Sequence, residues 1–305
     1  MTDEERKFSG GVAVITGAGS GIGMGLAKRA ANVGMTVVVA DLVGERAEQV
    51  AQEIRDEGGL AEAMTVDVSR YEDIDRMAEA VFARHGSVRL LVNNAGIETM
   101  GCSWEIPAER WETTLNVNIH GVVHGARAFV PRMIASGEEC WIANVASGAA
   151  FGMMPANIAY VMSKHAIQSF SEGLYLEMEY MNAPIHVASV LPGMVKTRIF
   201  DREAGAGEGA AGHPYRDAMR LRMQDYGMEL PEACERILAQ IAANTFWVST
   251  HPDLLKLLID TRIEFLGSGN APVLSDQVRQ MLPGRSGGPK LAGNCLLSEQ
   301  SEGQG

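Results

Sequence analysis

The sequence predicts an α/β fold, a doubly wound parallel sheet built as a single domain. Three observations predict it. Short continuous apolar runs recur along the 305 residues, and such runs mark strands buried on both faces. Stretches with helical spacing of apolar residues separate them, which is the alternation of successive βα units. A glycine-rich segment, Gly17-Ala18-Gly19-Ser20-Gly21-Ile22-Gly23, joins the first apolar run directly to the first helical pattern.

In chain order, Val12-Ala13-Val14-Ile15-Thr16 reads as the first strand, with a helical pattern from the glycines through Ala31. A second buried strand covers 36–40 and ends at Asp41. An amphipathic helix follows over 44–57, then a strand over 61–66, a helix over 71–85 and a strand over 88–92 running into Asn93-Asn94-Ala95-Gly96. One long helix is expected over 107–136, with Pro131 bending or breaking it. A strand over 140–146 leads to Ser147, a helix continues to about Met181, and a strand covers 185–191. The rhythm then changes. Residues 198–230 form an insertion of about 30 residues where connections usually run about 4–6, and such loops are commonly lids. It carries the run 204–212, rich in Gly and Ala and expected to be flexible, and then a short helix through Met223. Pro231 at a helix N1 position starts a helix to about Ala243, followed by a strand over 246–249 and a helix over 253–266. No repeat or linker separates two cores, so the domain is expected to span 1–283, with a loose Gly/Ser-rich tail over 284–305.

Composition narrows the function. A formal net charge of −12 leaves no basic excess to meet phosphates and argues against nucleic acid. The four cysteines, Cys102, Cys140, Cys234 and Cys295, show neither a CxxC pair nor metal-ligand spacing, and read as reduced thiols. His120 and His124 lie one helical turn apart without a third ligand, so no metal site is expected. No apolar run approaches the roughly 20 residues of a membrane span, and the charged first residues lack a signal-peptide core. The expectation is a cytoplasmic protein that binds no membrane.

The glycine-rich turn has a physical reading. Gly17 permits a tight turn, Gly21 lets backbone approach a pyrophosphate, and Gly23 lets the helix pack close to the strand. The helix N-terminus then offers its unpaired N–H groups to phosphates. Asp41 can accept hydrogen bonds from both adenosine ribose hydroxyls and repels a 2′-phosphate, while no Arg or Lys occupies 42–44. The expected cofactor is NAD rather than NADP. Tyr160 and Lys164, four residues apart, share one face of a helix. A fixed ammonium there favours the phenolate and is expected to lower the phenol from its usual pKa near ~10 toward the working range.

These pieces, with Asp67-Val68, Asn93-Asn94-Ala95-Gly96, Asn118, Ser147 and Pro192-Gly193-Met194-Val195-Lys196-Thr197, occur in one order over roughly residues 10–250. Together they resemble the short-chain dehydrogenase/reductase superfamily. The resemblance implies a Rossmann fold with a seven-stranded parallel sheet. It also implies reversible hydride transfer between a nicotinamide cofactor and an alcohol or carbonyl. It assigns general acid/base chemistry to Tyr160, ribose binding and pKa control to Lys164, substrate-oxygen binding to Ser147 and a water-held proton path to Asn118. The implied dinucleotide set is Gly17, Gly19, Ser20, Gly21, Ile22, Gly23, Asp41, Asp67, Val68, Asn94, Gly96, Tyr160, Lys164, Val195 and Thr197. In this family the helices near 107–135 and 157–182 commonly pair across a two-fold axis, which implies a homodimer or homotetramer. One departure is that Ala146 precedes Ser147 where the family often has a second serine, so Ser147 alone must serve.

A bulky apolar secondary alcohol or ketone, aromatic, alicyclic or steroid-like, is the expected substrate. The reason is that Met100, Trp104, Phe151, Met153, Met154, Met194, Ile199 and Phe200 all sit on segments leaving the carboxyl ends of strands. The competing expectation for these residues is that they pack the loops onto the domain. For the chain as a whole, the alternative is an NAD-binding sensor or scaffold of weak activity, which the complete set Asn118, Ser147, Tyr160 and Lys164 disfavours. Epimerisation or enoyl reduction on the same fold would call for a different Lys spacing or glycine pattern.

Overall fold

Strict alternation of side chains along buried strands gives this protein two cores, one on each face of a sheet. In the computed structural model, which describes residues 2–209, 212–274 and 276–281, seven parallel strands stand in the order β3-β2-β1-β4-β5-β6-β7. They are β1 (Val12–Thr16), β2 (Thr36–Asp41), β3 (Leu60–Thr65), β4 (Leu90–Asn93), β5 (Cys140–Val145), β6 (Ile185–Leu191) and β7 (Trp247–Ser249). Along β1, Ala13 and Ile15 join the core on one face, while Val12 and Val14 join the core on the other. Helices α1 (Asp3–Phe8), α2 (Gly21–Asn32) and α3 (Gly44–Asp56) border the first core. Helix α4 (Tyr71–His85) borders the second. The strand order reverses between β1 and β4, and in open α/β sheets ligands bind at the carboxyl ends beside that switch point.

Helix α1 was not expected, although its signal is present. Thr2 and Glu5 form a reciprocal capping box, with Thr2 N–H donating to Glu5 at 2.8 Å and Glu5 N–H donating to Thr2 Oγ1 at 3.2 Å. The helix delivers Phe8, fully buried, edge-on against Trp141 with ring centres 5.2 Å apart. Burial of such a side chain contributes about 1.5–3 kcal/mol.

The long helix expected over 107–136 is interrupted elsewhere than at its proline. Helix α5 (Ala108–Leu115) passes into a π-helical turn, Asn116–His120, and then into α6 (Gly121–Ser136). Pro131 lies inside α6. Its cost of about 3 kcal/mol is offset by the burial of Phe129 and Met133 on either side of it. The second half of the chain adds α7 (Ile158–Tyr180), α8 (His213–Tyr226), α9 (Leu230–Ala242) and α10 (Pro252–Ser268). Helix α9 joins the first core, and α6 and α7 join the second.

Met1–Val273 forms one compact unit, and the chain from Leu274 onward is a second, described over helix α11 (Asp276–Met281). The tail expected over 284–305 lies outside the described residues. Among the described residues no helix is long and apolar enough to cross a membrane.

Candidate functional site

The site is built at the carboxyl ends of β1, β2, β4 and β5. After β1 the chain turns at Gly17, whose φ is +62°; a Cβ there would lie 2.8 Å from Ala95 Cα. Asn94 binds this turn to the end of β4. Its Nδ2 donates to the carbonyls of Thr16 at 2.8 Å and Gly17 at 3.2 Å. A Cβ at Gly23 would fall 2.5 Å from that amide, so a glycine is required for α2 to sit this close. Ser20 stands at the N-cap of α2 and makes no side-chain capping bond. The first-turn N–H groups are therefore left uncapped by the protein, a cradle that fits the phosphates of a dinucleotide.

Asp41 closes β2. Its Oδ2 accepts from Gly19 N–H at 2.9 Å and its Oδ1 from Val43 N–H at 3.0 Å, which fixes the carboxylate beside the turn. A cavity of about 390 Å³ is lined by Gly17, Ser20, Gly21, Ile22 and Asp41, and also by Asp67, Val68, Asn94, Gly96, Tyr160, Lys164 and Thr197. Arg46 lines it too. This cation enters from the first turn of α3, just beyond positions 42–44.

Helix α7 sets Tyr160 and Lys164 on one face. Lys164 is buried, its Nζ donating to the Val145 carbonyl at 2.9 Å and lying 5.3 Å from the centre of the Tyr160 ring. Burial pulls its ammonium down to about 8, against the opposing pull of the Glu98 carboxylate. The Tyr160 phenol behaves otherwise than expected. Burial and the negative charge of Glu98 push it above its usual value, and the hydrogen bond with Ser147 offsets only part of this. The expectation of a lowered phenol is thus corrected. The physical causes are burial of the phenol first and then Glu98, a buried carboxylate on the loop after β4.

Ser147 N-caps a short turn, its Oγ accepting from Ala149 N–H at 3.1 Å. Asn118, within the π turn, is fully buried. Its Oδ1 accepts from Ile97 N–H at 2.8 Å, and its Nδ2 donates to Ile97 O at 3.0 Å and to Ser163 Oγ at 2.9 Å. The amide thereby positions the loop that follows β4. Asn118, Ser147, Gly19, Gly23 and Val195 stand outside the cavity lining. Val195 is buried and bridges to Met228.

The insertion is fastened rather than loose where it is described. Arg216 and Glu208 form a fully buried two-point ion pair, Nε to Oε1 at 2.7 Å and Nη2 to Oε2 at 2.6 Å. Glu208 Oε2 also accepts from Met100 N–H at 3.0 Å, and Arg216 donates to the carbonyls of Ile199 and Glu98. The Gly/Ala run expected to be flexible thus carries a buried latch, while its residues 210–211 lie outside the described residues. Met100 and Phe200 pack with Met223 beneath α8, joined by Met194 and Ile199. Phe151 stacks on Trp247 at 5.2 Å, and Trp104 is exposed. Of the apolar residues expected to line a pocket, Ile199 lines the cavity. Met100, Met194 and Phe200 pack the insertion onto the domain instead. Among the described residues no group of three or more metal-ligating side chains occurs.

Residues 11–206 match the family described as short chain dehydrogenase. A probable oxidoreductase, EphD of Mycobacterium tuberculosis, is 38% identical over 185 residues, covering 61% of this chain. The matched region spans 31% of EphD's own length. The CLA biosynthesis dehydrogenase/reductase of Lactiplantibacillus plantarum is 28% identical over 277 residues, covering 88% of this chain and 96% of that protein. A 1-deoxy-11-beta-hydroxypentalenate dehydrogenase of Streptomyces arenae is 36% identical over 189 residues, 61% of this chain and 67% of that one. Among solved structures, a short chain dehydrogenase/reductase from Burkholderia phymatum in complex with NAD superposes with a TM-score of 0.82. It is 30% identical, with 88% of this chain and 99% of that one covered.

Proposed function

The chain belongs to the short chain dehydrogenase family, and on that premise we propose that it is an oxidoreductase moving a hydride between NAD(H) and a bulky, mostly apolar secondary alcohol or its ketone. One observation carries the reading. A single cavity is lined both by the uncapped glycine turn with Asp41 and by the Tyr160–Lys164 pair. The Burkholderia structure, which holds NAD, and the Streptomyces relative, named as a dehydrogenase of a hydroxylated compound, support it.

The α2 N-terminus and Ser20 would hold the pyrophosphate, Asp41 the adenosine ribose, and Asp67 and Val68 the adenine. Lys164 would hold the nicotinamide ribose. The bound dinucleotide supplies the hydride acceptor, or the donor in reverse. Tyr160 takes the hydroxyl proton as the C–H hydride leaves, and returns it to the oxygen in ketone reduction. Ser147 hydrogen-bonds the same oxygen and stabilises the charge that develops on it. The Lys164 ammonium favours the phenolate, opposing the burial and the Glu98 charge that disfavour it.

Asp41 favours NAD over NADP by repelling a 2′-phosphate, while Arg46 at the same end of the cavity works against that selectivity. Ile97, Pro192 and Ile199 on the cavity wall support an apolar substrate. Exposed Met162 and Leu176 on α7 support a homodimer or homotetramer. The buried Glu98 carboxyl, lining the same cavity as Tyr160 and opposing its phenolate, favours a second reading, an NAD-binding sensor with little turnover. Assay of NADH formation over a panel of secondary alcohols tests the proposal; turnover with cyclic or aryl alcohols supports it. No turnover in either direction with any of them, despite NADH binding, favours the sensor.

A further inference from the structure

Glu98 belongs to none of the roles assigned above, yet it is the buried carboxyl of the site. It follows the run Asn93–Gly96 on the loop that leaves β4, and it lines the cavity beside Tyr160 and Lys164 while only 2% exposed. Its backbone is held from three sides. Asn118 brackets Ile97 before it, and Arg110 Nη2 and Arg216 Nη2 donate to the Glu98 carbonyl at 2.8 and 2.9 Å. The side chain is not held in that way. The remaining donors of Arg216 go to Glu208 and Ile199, and Arg110 Nε goes to Thr99. No ion pair to the Glu98 carboxyl forms among the described residues.

The side chain of Asn157, itself 8% exposed, acts on the Glu98 carboxyl and favours its ionised form against the burial that opposes it. Two oxygens, Glu98 Oε1 and Asn157 Oδ1, remain buried without any hydrogen-bond partner. A buried polar atom left so is destabilising, because it has lost its water and gained no partner. One of the two oxygens, Glu98 Oε1, stands on a rigidly placed loop at the wall of the reaction cavity, the other at the N-cap of α7, and together they point to a group brought by a ligand. We propose that Glu98, backed by Asn157, is a specificity-determining residue that binds a second hydroxyl of the substrate, on a carbon neighbouring the one oxidised.

A hydroxyl is the group that fits. It has one proton to give and lone pairs to receive with, so it pairs with the carboxyl whether Glu98 is ionised or protonated. When Glu98 is protonated and donates to it, the hydroxyl's own proton is free for Asn157 Oδ1. With Glu98 ionised, a carboxylate or phosphate on the substrate would meet like charge at this carboxyl. The charged and titratable groups that act on Glu98 are Arg216 and Lys164, which attract its anion, and Glu208, which repels it, with the Tyr160 phenol beside it. The substrate is thus an otherwise apolar diol or hydroxyketone. This inference rests on the dehydrogenase reading.

The test compares kcat/KM with NAD for matched pairs: cyclohexanol with vicinal cyclohexanediol, and phenylethanol with phenylethanediol. Wild type, Glu98→Gln and Glu98→Leu are measured, with NADH binding followed in each as the control for an intact fold. The expected result is a wild-type preference for the diols of at least about tenfold, reduced in Glu98→Gln and abolished or inverted in Glu98→Leu. If Glu98→Leu does not fold, the loss of preference is read from Glu98→Gln. Equal wild-type kcat/KM for the two members of each pair overturns the subsite, as does an equal fall for both members in the variants, while the dehydrogenase reading stands. Failure of wild type to turn over any of these alcohols, or their ketones with NADH, overturns that reading and the subsite with it.

Discussion

Lys164 Nζ lies 5.3 Å from the centre of the Tyr160 ring and donates to the Val145 carbonyl at 2.9 Å. One helical turn separates the two residues, and the carbonyl at the end of β5 fixes the ammonium's position. Proximity alone does not settle the charge state of the phenol. Burial and the Glu98 carboxylate raise it, while the same carboxylate supports the charge on Lys164.

That balance sets the pH dependence. With Tyr160 as the proposed base, alcohol oxidation would require its phenolate, and the phenol is raised, so kcat/KM for oxidation should climb with pH beyond neutrality. Ketone reduction uses the protonated phenol and should fall over the same alkaline range. Glu98→Gln removes a negative charge that raises the phenol, so its alkaline limb should move to lower pH. Stopped assays across pH in both directions check this. A limb that stays in place in Glu98→Gln would show that Glu98 does not act on Tyr160.

Asp41 should govern cofactor choice. We expect NAD to be favoured over NADP by at least about tenfold in kcat/KM, roughly 1.4 kcal/mol of discrimination. Asp41→Ala should narrow the gap, and adding Arg46→Ala should weaken whatever NADP activity Asp41→Ala gains. Equal wild-type kinetics with the two dinucleotides would refute the role of Asp41.

The buried Glu208–Arg216 pair should hold the insertion. Removing one partner of such a pair leaves an uncompensated charge and costs about 3–5 kcal/mol. Glu208→Gln should therefore expose the segment near 198–209 to proteolysis before the whole domain unfolds, and raise KM more than it alters NADH binding. Unchanged cleavage rates with a lowered Tm would assign the pair to general stability instead.

Much of the fold was legible because buried parallel strands write themselves as continuous apolar runs, and the order of strands and helices follows from them. The π turn at Asn116–His120 was not, because nothing in the local spacing distinguishes it from α-helix; its cause is the tertiary bonding of Asn118 to Ile97 and Ser163. Helix α1 was overlooked although Thr2 and Glu5 carry its capping signal. The residues Gly17, Asp41, Tyr160 and Lys164 were readable from turn and helix spacing. Glu98 was not, since a carboxylate two residues beyond Gly96 reads equally as a solvated loop residue, and its burial depends on Arg110 and Arg216, which arrive from distant segments. The Met and Phe residues after the strands carried hydrophobicity but no direction, and several turned under α8 rather than into the cavity.

The most direct measurement is steady-state NADH formation by wild type and Tyr160→Phe over cyclic and aryl secondary alcohols, paired with NADH binding to both proteins. The account predicts measurable wild-type turnover and a loss of roughly 10²–10⁴-fold in kcat for Tyr160→Phe, with dinucleotide affinity nearly unchanged. A Tyr160→Phe protein that keeps more than about a tenth of the wild-type kcat would contradict the assignment of proton transfer to Tyr160.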